Sequence, residues 1–122
     1  MRPPITCPVK HFDGTIVLPD CLNYEQIIAW EKSQVIADEL IVTDEEGKRR
    51  LAPGVFVNEL RAPKIPAILL IVCEWHLKNV PAKPTIATFP ASPAKSAALL
   101  YDWLMEEISK LYAEEDLEIP NA

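Results

Sequence analysis

The stretch Pro66-Ala-Ile-Leu-Leu-Ile-Val-Cys-Glu-Trp-His-Leu-Lys-Asn79 constrains the fold most, because no other segment is as apolar and the rest of the chain must cover it. Read alone, Ile68 to Val72 fits a buried strand, being leucine and β-branched throughout. Three features favour a helix over 66–79. Pro66 suits a first helical turn, where its missing N–H costs nothing. The apolar pattern runs on to Trp75 and Leu77, longer than a typical strand. Lys78 and Asn79 suit a helix C-terminus, with Pro81 just beyond. Such a helix puts Ile68, Ile71, Val72 and Trp75 on one face and Leu69, Cys73 and His76 on another, so it is expected to be buried nearly all round. It is too short for a bilayer span, which needs roughly 20 apolar residues, and it carries Glu74, His76 and Lys78.

Around this segment the punctuation is proline-rich. Twelve prolines against three glycines predict stiff connections. The whole chain, residues 1–122, is long enough for one domain and too short for two. Residues 1–22 read as extended, with Asp13-Gly14 a turn and Thr15 to Leu18 a short strand that pairs with Ile5 to Lys10 as a hairpin or with a later strand. Asn23 with Gln26 three residues on resembles a capping box. It predicts a helix from Tyr24 to about Asp38, within 23–39, on which Tyr24, Ile27, Ile28, Glu31 and Val35 share a face with Trp30 on its flank; apart from Glu31 that face is a core-facing stripe. Residues 40–64 read as a hairpin-like region: strands at Leu40–Thr43 and Lys48–Leu51 about an exposed Asp44–Gly47 turn, then a short extended piece over Val55–Val57. Residues 61–66 read as a linker.

After the central helix, 80–91 is a proline-rich connector with Phe89 as its large apolar anchor. Ser92-Pro93 predicts a helix start, with a hydroxyl N-cap and proline at the first position. An amphipathic helix follows over 92–113, with Ala97, Leu100, Tyr101, Leu104, Ile108, Leu111 and Tyr112 at helical spacing. Leu99 and Trp103 lie beside that stripe and either widen the core or form an exposed patch. The fold class expected is α+β, mainly α: a three-helix core around 66–79 with a small antiparallel β element.

The net charge of −6 is localised. Between Asp102 and Glu118 there are seven acids and one base, and the rest of the chain is neutral. Nonspecific nucleic-acid binding needs a basic stripe, and the one basic cluster, Lys48-Arg49-Arg50, follows Asp44-Glu45-Glu46. No nucleic-acid or membrane partner is expected. Met1-Arg-Pro-Pro-Ile has no apolar run of a secretory leader, and three cysteines do not close a disulfide framework, which points to a reducing cytoplasm.

Chemistry is sparse. Cys7, His11, Cys21, Cys73 and His76 are the only residues that could assemble a zinc site, and they lack a paired Cys-x2-Cys knuckle. Cys73 with His76 is formally a nucleophile and base, but a thiol inside an apolar helix is inert. Three isolated glycines make no phosphate loop. Neither a catalytic residue nor a cofactor is expected. Glu106-Glu107 are read as a solvated outer face. The acids near the end of the last helix oppose its macrodipole, so Glu114, Glu115 and Asp116 are read as a solvated end or as a docking face for a basic partner. The tail, 114–122, holds Leu117 and Ile119, which could pack back or reach another subunit.

The segments Phe12–Asp20, Ala29-Trp30-Glu31, Glu74-Trp75-His76-Leu77, Thr88–Pro93 and Trp103-Leu104 appear in an order that resembles small tailed-bacteriophage proteins of the tail assembly chaperone type. The resemblance spans most of the chain except 40–64. It implies a small α-rich, non-catalytic protein in the cytoplasm of a bacterial host, which binds the tape-measure or another tail protein through an apolar helical surface and self-associates. The partner-binding residues expected are Phe89, Leu99, Trp103, Glu106, Glu107, Glu114, Glu115 and Asp116. Two other classes stand beside it: an acidic phage-encoded inhibitor docking on a nucleic-acid-binding host protein, and a small zinc-stabilised adaptor.

Overall fold

The computed structural model describes residues 2–114. Its five strands are β1 (Ile5–Thr6), β2 (Gly14–Val17), β3 (Ile41–Thr43), β4 (Arg49–Leu51) and β5 (Glu74–Leu77). Its α-helices are α1 (Tyr24–Glu39), α2 (Val57–Arg61), α3 (Ile65–Ile71) and α4 (Ala94–Glu114), with 3-10 turns at Lys10–Phe12 and Ala62–Lys64. The class is α+β and mainly α, with one three-stranded sheet ordered β1-β2-β5 and a separate β3-β4 pair. None of these helices is long and apolar enough to cross a membrane.

The central segment is not one helix. Pro66 sits in the first turn of α3, where its missing N–H is harmless. The helix stops at Ile71, and Val72 is already extended (φ −69°, ψ 120°). Glu74–Leu77 then pairs antiparallel with β2, Trp75 facing Ile16 and His76 facing Thr15. The reason lies in a period of two. Trp75 and Leu77 are buried while His76 between them is exposed, which suits a strand with one face on the core. Because β2 offers this segment a ladder of backbone partners, tertiary pairing overrides the helical continuation. Of the apolar run over 68–72, which read alone fits a buried strand, Ile68 to Ile71 are helical.

Gly14 makes the β2–β5 contact possible. Its φ is +139°, and a Cβ there would lie 1.9 Å from the His76 carbonyl oxygen. The β1–β2 connection is broader than an Asp13-Gly14 turn. The chain rises through the Lys10–Phe12 turn, closed by Phe12 N–H to Val9 O (3.0 Å), and Cys7 N–H then donates to Gly14 O (2.9 Å).

The capping box of α1 is formed in full. The Asn23 side chain accepts from the Gln26 N–H and the Gln26 side chain accepts from the Asn23 N–H, each at 2.8 Å. The buried face, however, is Gln26, Trp30, Ser33 and Ala37. The expected stripe is corrected at its ends, since Tyr24 is 78% and Val35 59% exposed. Small and polar residues win because α1 packs closely on α3 and the turn before it. Gln26 Nε2 donates to the Leu70 carbonyl (3.1 Å), and Lys64 Nζ reaches Gln34 Oε1 (2.7 Å) across the Trp30 ring.

Strands β3 and β4 flank the Asp44–Gly47 turn, whose tip is exposed. Asp44 Oδ1 closes it by accepting from the N–H groups of Glu46 and Lys48. Val55–Val57 does not continue as an extended piece, because Val57 opens α2. Residues 61–66 are likewise helical and not a linker: α2, the 3-10 turn and α3 follow one another without a break. Their prolines, Pro63 and Pro66, both fall in first turns.

Helix α4 starts one residue later than the Ser92-Pro93 cap predicts. Pro93, after a cis peptide bond, precedes the helix and its carbonyl accepts from Ala97 N–H (2.8 Å). Ala97, Leu100, Tyr101, Leu104, Ile108 and Leu111 are buried, and Trp103 joins them, while Leu99 does not. Leu104 and Ile108 are fully enclosed, and burial of such a side chain contributes roughly 1.5–3 kcal/mol. Together with Ile16, Ile68, Ile71, Trp75 and Phe12 they form one continuous core between the sheet and the helices.

Candidate protein-binding groove

The connector of residues 80–91 is pinned at two points. Thr85 and Thr88 close a reciprocal turn: Thr85 N–H donates to Thr88 Oγ1 (2.7 Å), and Thr88 N–H donates to Thr85 Oγ1 (3.3 Å) and to its carbonyl (3.2 Å). One residue on, Phe89 is buried edge-to-face against Trp75, with ring centroids 6.4 Å apart. The turn leaves Ile86 at its tip, 66% exposed. A β-branched aliphatic side chain held out on a hydrogen-bonded turn loses little conformational entropy if it is later covered.

Beneath Ile86 lies a groove of about 330 Å³. Ile65 and Phe89 line it from the core side, and Ala94, Ala97, Ala98 and Tyr101 from the first two turns of α4. The alanines keep that end of α4 low, so the groove is open there. The far wall is α2, through Asn58 and Arg61. Phe56, which precedes α2, is 73% exposed. Arg61 stacks over the Tyr101 ring at 5.5 Å. Burial pushes the Tyr101 phenol up to about 12, opposed by Arg61 and assisted by Asp102. The Tyr101 phenol therefore stays protonated through the neutral range.

The expected binding residues are scattered. Phe89 lines the groove. Trp103 is buried in the core, so it widens the apolar face and presents no patch. Leu99 is half-exposed beside Lys10, His11 and Lys95, in a different cleft. Glu106 and Glu107 both pair with Lys110 (3.6 and 3.3 Å), and Glu114 pairs with Arg2. The acidic face is thus partly neutralised by the chain's own bases. Glu115 and Asp116 lie outside the described residues. Ile65, Ile86 and Ala98 were missed. The one signal for them was Ile86 itself, a lone large aliphatic in a run of Pro, Lys, Thr and Ala.

The zinc arrangement is not assembled: among the described residues no three of His, Cys, Asp and Glu converge as a metal ion requires. Cys7 is buried, whereas Cys21 and Cys73 are exposed. Cys73 does not sit inside a helix but just beyond α3. Desolvation, then Glu74 and Asp20, raise its thiol pKa, and burial raises that of Cys7. Cys73 and His76 do not form a nucleophile–base pair. Three residues apart on extended backbone they point to opposite faces, and His76 Nε2 is engaged by Glu74 (3.0 Å). Comparison with protein-family models, with curated proteins and with solved structures finds no match.

Proposed function

We propose that this protein is a non-catalytic binding module that holds an apolar segment of a protein client in the groove between α2, the connector and the start of α4. The observation that carries this reading is the exposed Ile86 on its closed turn above an apolar floor. Large aliphatic side chains held out at the rim of an apolar groove are what a client helix or strand buries on docking. The groove's chemistry agrees, since the Tyr101 phenol stays protonated at neutral pH and most of the other lining side chains are apolar. The sequence resemblance to tail assembly chaperones makes the tape-measure protein of the same locus the first client to test, in the cytoplasm of a bacterial host.

Co-expression and pull-down test this directly. The wild-type protein should retain the tape-measure client. Ala98→Trp, which fills the groove, and Ile86→Asp, which charges its rim, should each lose it while circular dichroism stays unchanged. Retention by both variants would sink the groove as the binding site, and failure of the wild type to retain the client would sink the tail-assembly reading.

A further inference from the structure

On the opposite side of α4 from the groove, a second cleft of about 410 Å³ lies between the β1–β2 connection and the helix. It is lined by Lys10 and His11 on the first and by Lys95, Ser96 and Leu99 on the second, with Pro8 and Val9 completing the wall. Among the described residues no carboxylate lines it. Neither Lys10 nor Lys95 has an acid within salt-bridge distance among the described residues. In a chain of net charge −6, this cleft places two unpaired lysines around an aliphatic side chain that is 50% exposed. The chemistry that fits it is a peptide with carboxylates flanking aliphatic residues.

The chain carries such a peptide. Residues 115–119 read Glu-Asp-Leu-Glu-Ile, which alternates acids with Leu117 and Ile119. It follows α4, at the end far from the cleft. Leu99 lies fifteen residues before Glu114 along the helix, about 22 Å at 1.5 Å per residue. Ile119 is five residues beyond Glu114 and reaches at most ~18 Å even when fully extended. The segment therefore cannot fill the cleft of its own chain. We propose that it fills the cleft of a second copy, two chains exchanging residues 115–119 reciprocally about a two-fold axis. The carboxylates of Glu115, Asp116 and Glu118 then meet Lys10 and Lys95, and Leu117 or Ile119 covers Leu99. A reciprocal exchange closes the assembly at two copies. It is independent of the client groove, which uses the other side of α4.

Sedimentation equilibrium of the full-length protein decides the matter. A monomer has a mass of 13.7 kDa, and the species expected at low salt has twice that. Its dissociation constant should rise at least about tenfold between 20 and 500 mM salt, because exposed ion pairs are screened over that range. Lys10→Glu/Lys95→Glu should weaken it by at least about tenfold, as two attractive contacts become repulsive. Glu115→Lys/Asp116→Lys/Glu118→Lys should do the same. Combining the two sets in one chain should restore dimerisation. A protein that stays monomeric at low salt and millimolar concentration overturns the proposal. So does a dimer that either charge-reversed set leaves unchanged, which would assign the cleft to an acidic segment of another protein, or a combined variant that does not regain association.

Discussion

Helices α1 and α4 are the two long helices, and the sequence placed both to within about a residue at each end, yet they bury faces of opposite kinds. Helix α4 puts its apolar stripe into the core, Leu100, Leu104, Ile108 and Leu111 all being fully or almost fully enclosed. Helix α1 buries Gln26, Ser33 and Ala37 beside a single large residue, Trp30, and leaves Val35 and Ile36 in solvent. The difference is one of distance. A helix that packs through long side chains is read from its hydrophobic periodicity. One that approaches a neighbour's backbone needs small residues and hydrogen bonds at the contact, as Gln26 makes to the Leu70 carbonyl. Hydrophobicity then marks the buried face only in part, as at Ile27.

The contrast can be broken most strongly on α4. Leu104→Ala should cost about 2–5 kcal/mol, as large-to-small changes at enclosed sites do, measured by urea denaturation. On α1 the damaging change should be the reverse. Ala37→Leu adds volume at a buried position of the helix and should cost about 1–3 kcal/mol, a loss that Ala37→Ser should largely avoid.

Alkaline titration separates the two helices by sign. Tyr101 on α4 has its folded pKa raised from 10 to about 12. Between those values the folded state keeps a proton that the unfolded chain has lost, so Tyr101 contributes stability that disappears as pH rises from 10 to 12. Lys64, packed on α1, is shifted the other way, lowered mainly by burial from its ordinary 10.5. There the unfolded chain holds the extra proton, and stability rises with pH up to about 10.5. Denaturation midpoints should therefore fall less steeply above pH 10 in Tyr101→Phe, and Lys64→Met should lose the rise below it. The smallest effect belongs to α1's solvent face. Val35→Ser should change stability by no more than about 0.5 kcal/mol, whereas a cost of 2 kcal/mol or more in the same denaturation experiment would restore Val35 to the core.

The candidate groove was less legible than the helices. The sequence marked 80–91 as a proline-rich connector, with Phe89 as its apolar anchor. Ile86 was passed over because a single aliphatic residue in a loop has no periodicity to reveal it. Trp103 was read as a candidate contact because it lies beside the main stripe. Its fate depended on how wide a face α4 buries, which is set by the elements packed against it, α3 and the Lys10–Phe12 turn among them. The acids of α4 were visible in the sequence, but their pairing with Lys110 and with Arg2, 112 residues away, was not.

What the sequence by itself determined were local events. Asn23 and Gln26 fix the start of α1 through their own backbone bonds. Pro66 sits harmlessly in the first turn of α3, and Asp44 with Gly47 closes the hairpin tip. Each of these is satisfied within a few residues. Only the tertiary structure decided what becomes of Pro66–Asn79. Its first half is helical from local causes, but Glu74–Leu77 becomes a strand because β2, some sixty residues earlier, offers an edge that Gly14 leaves open to the His76 carbonyl. The alternation of Glu74, Trp75, His76 and Leu77 was present in the sequence. Four residues of alternation compete with a helical period that also fits them, and pairing with a distant partner settled the choice.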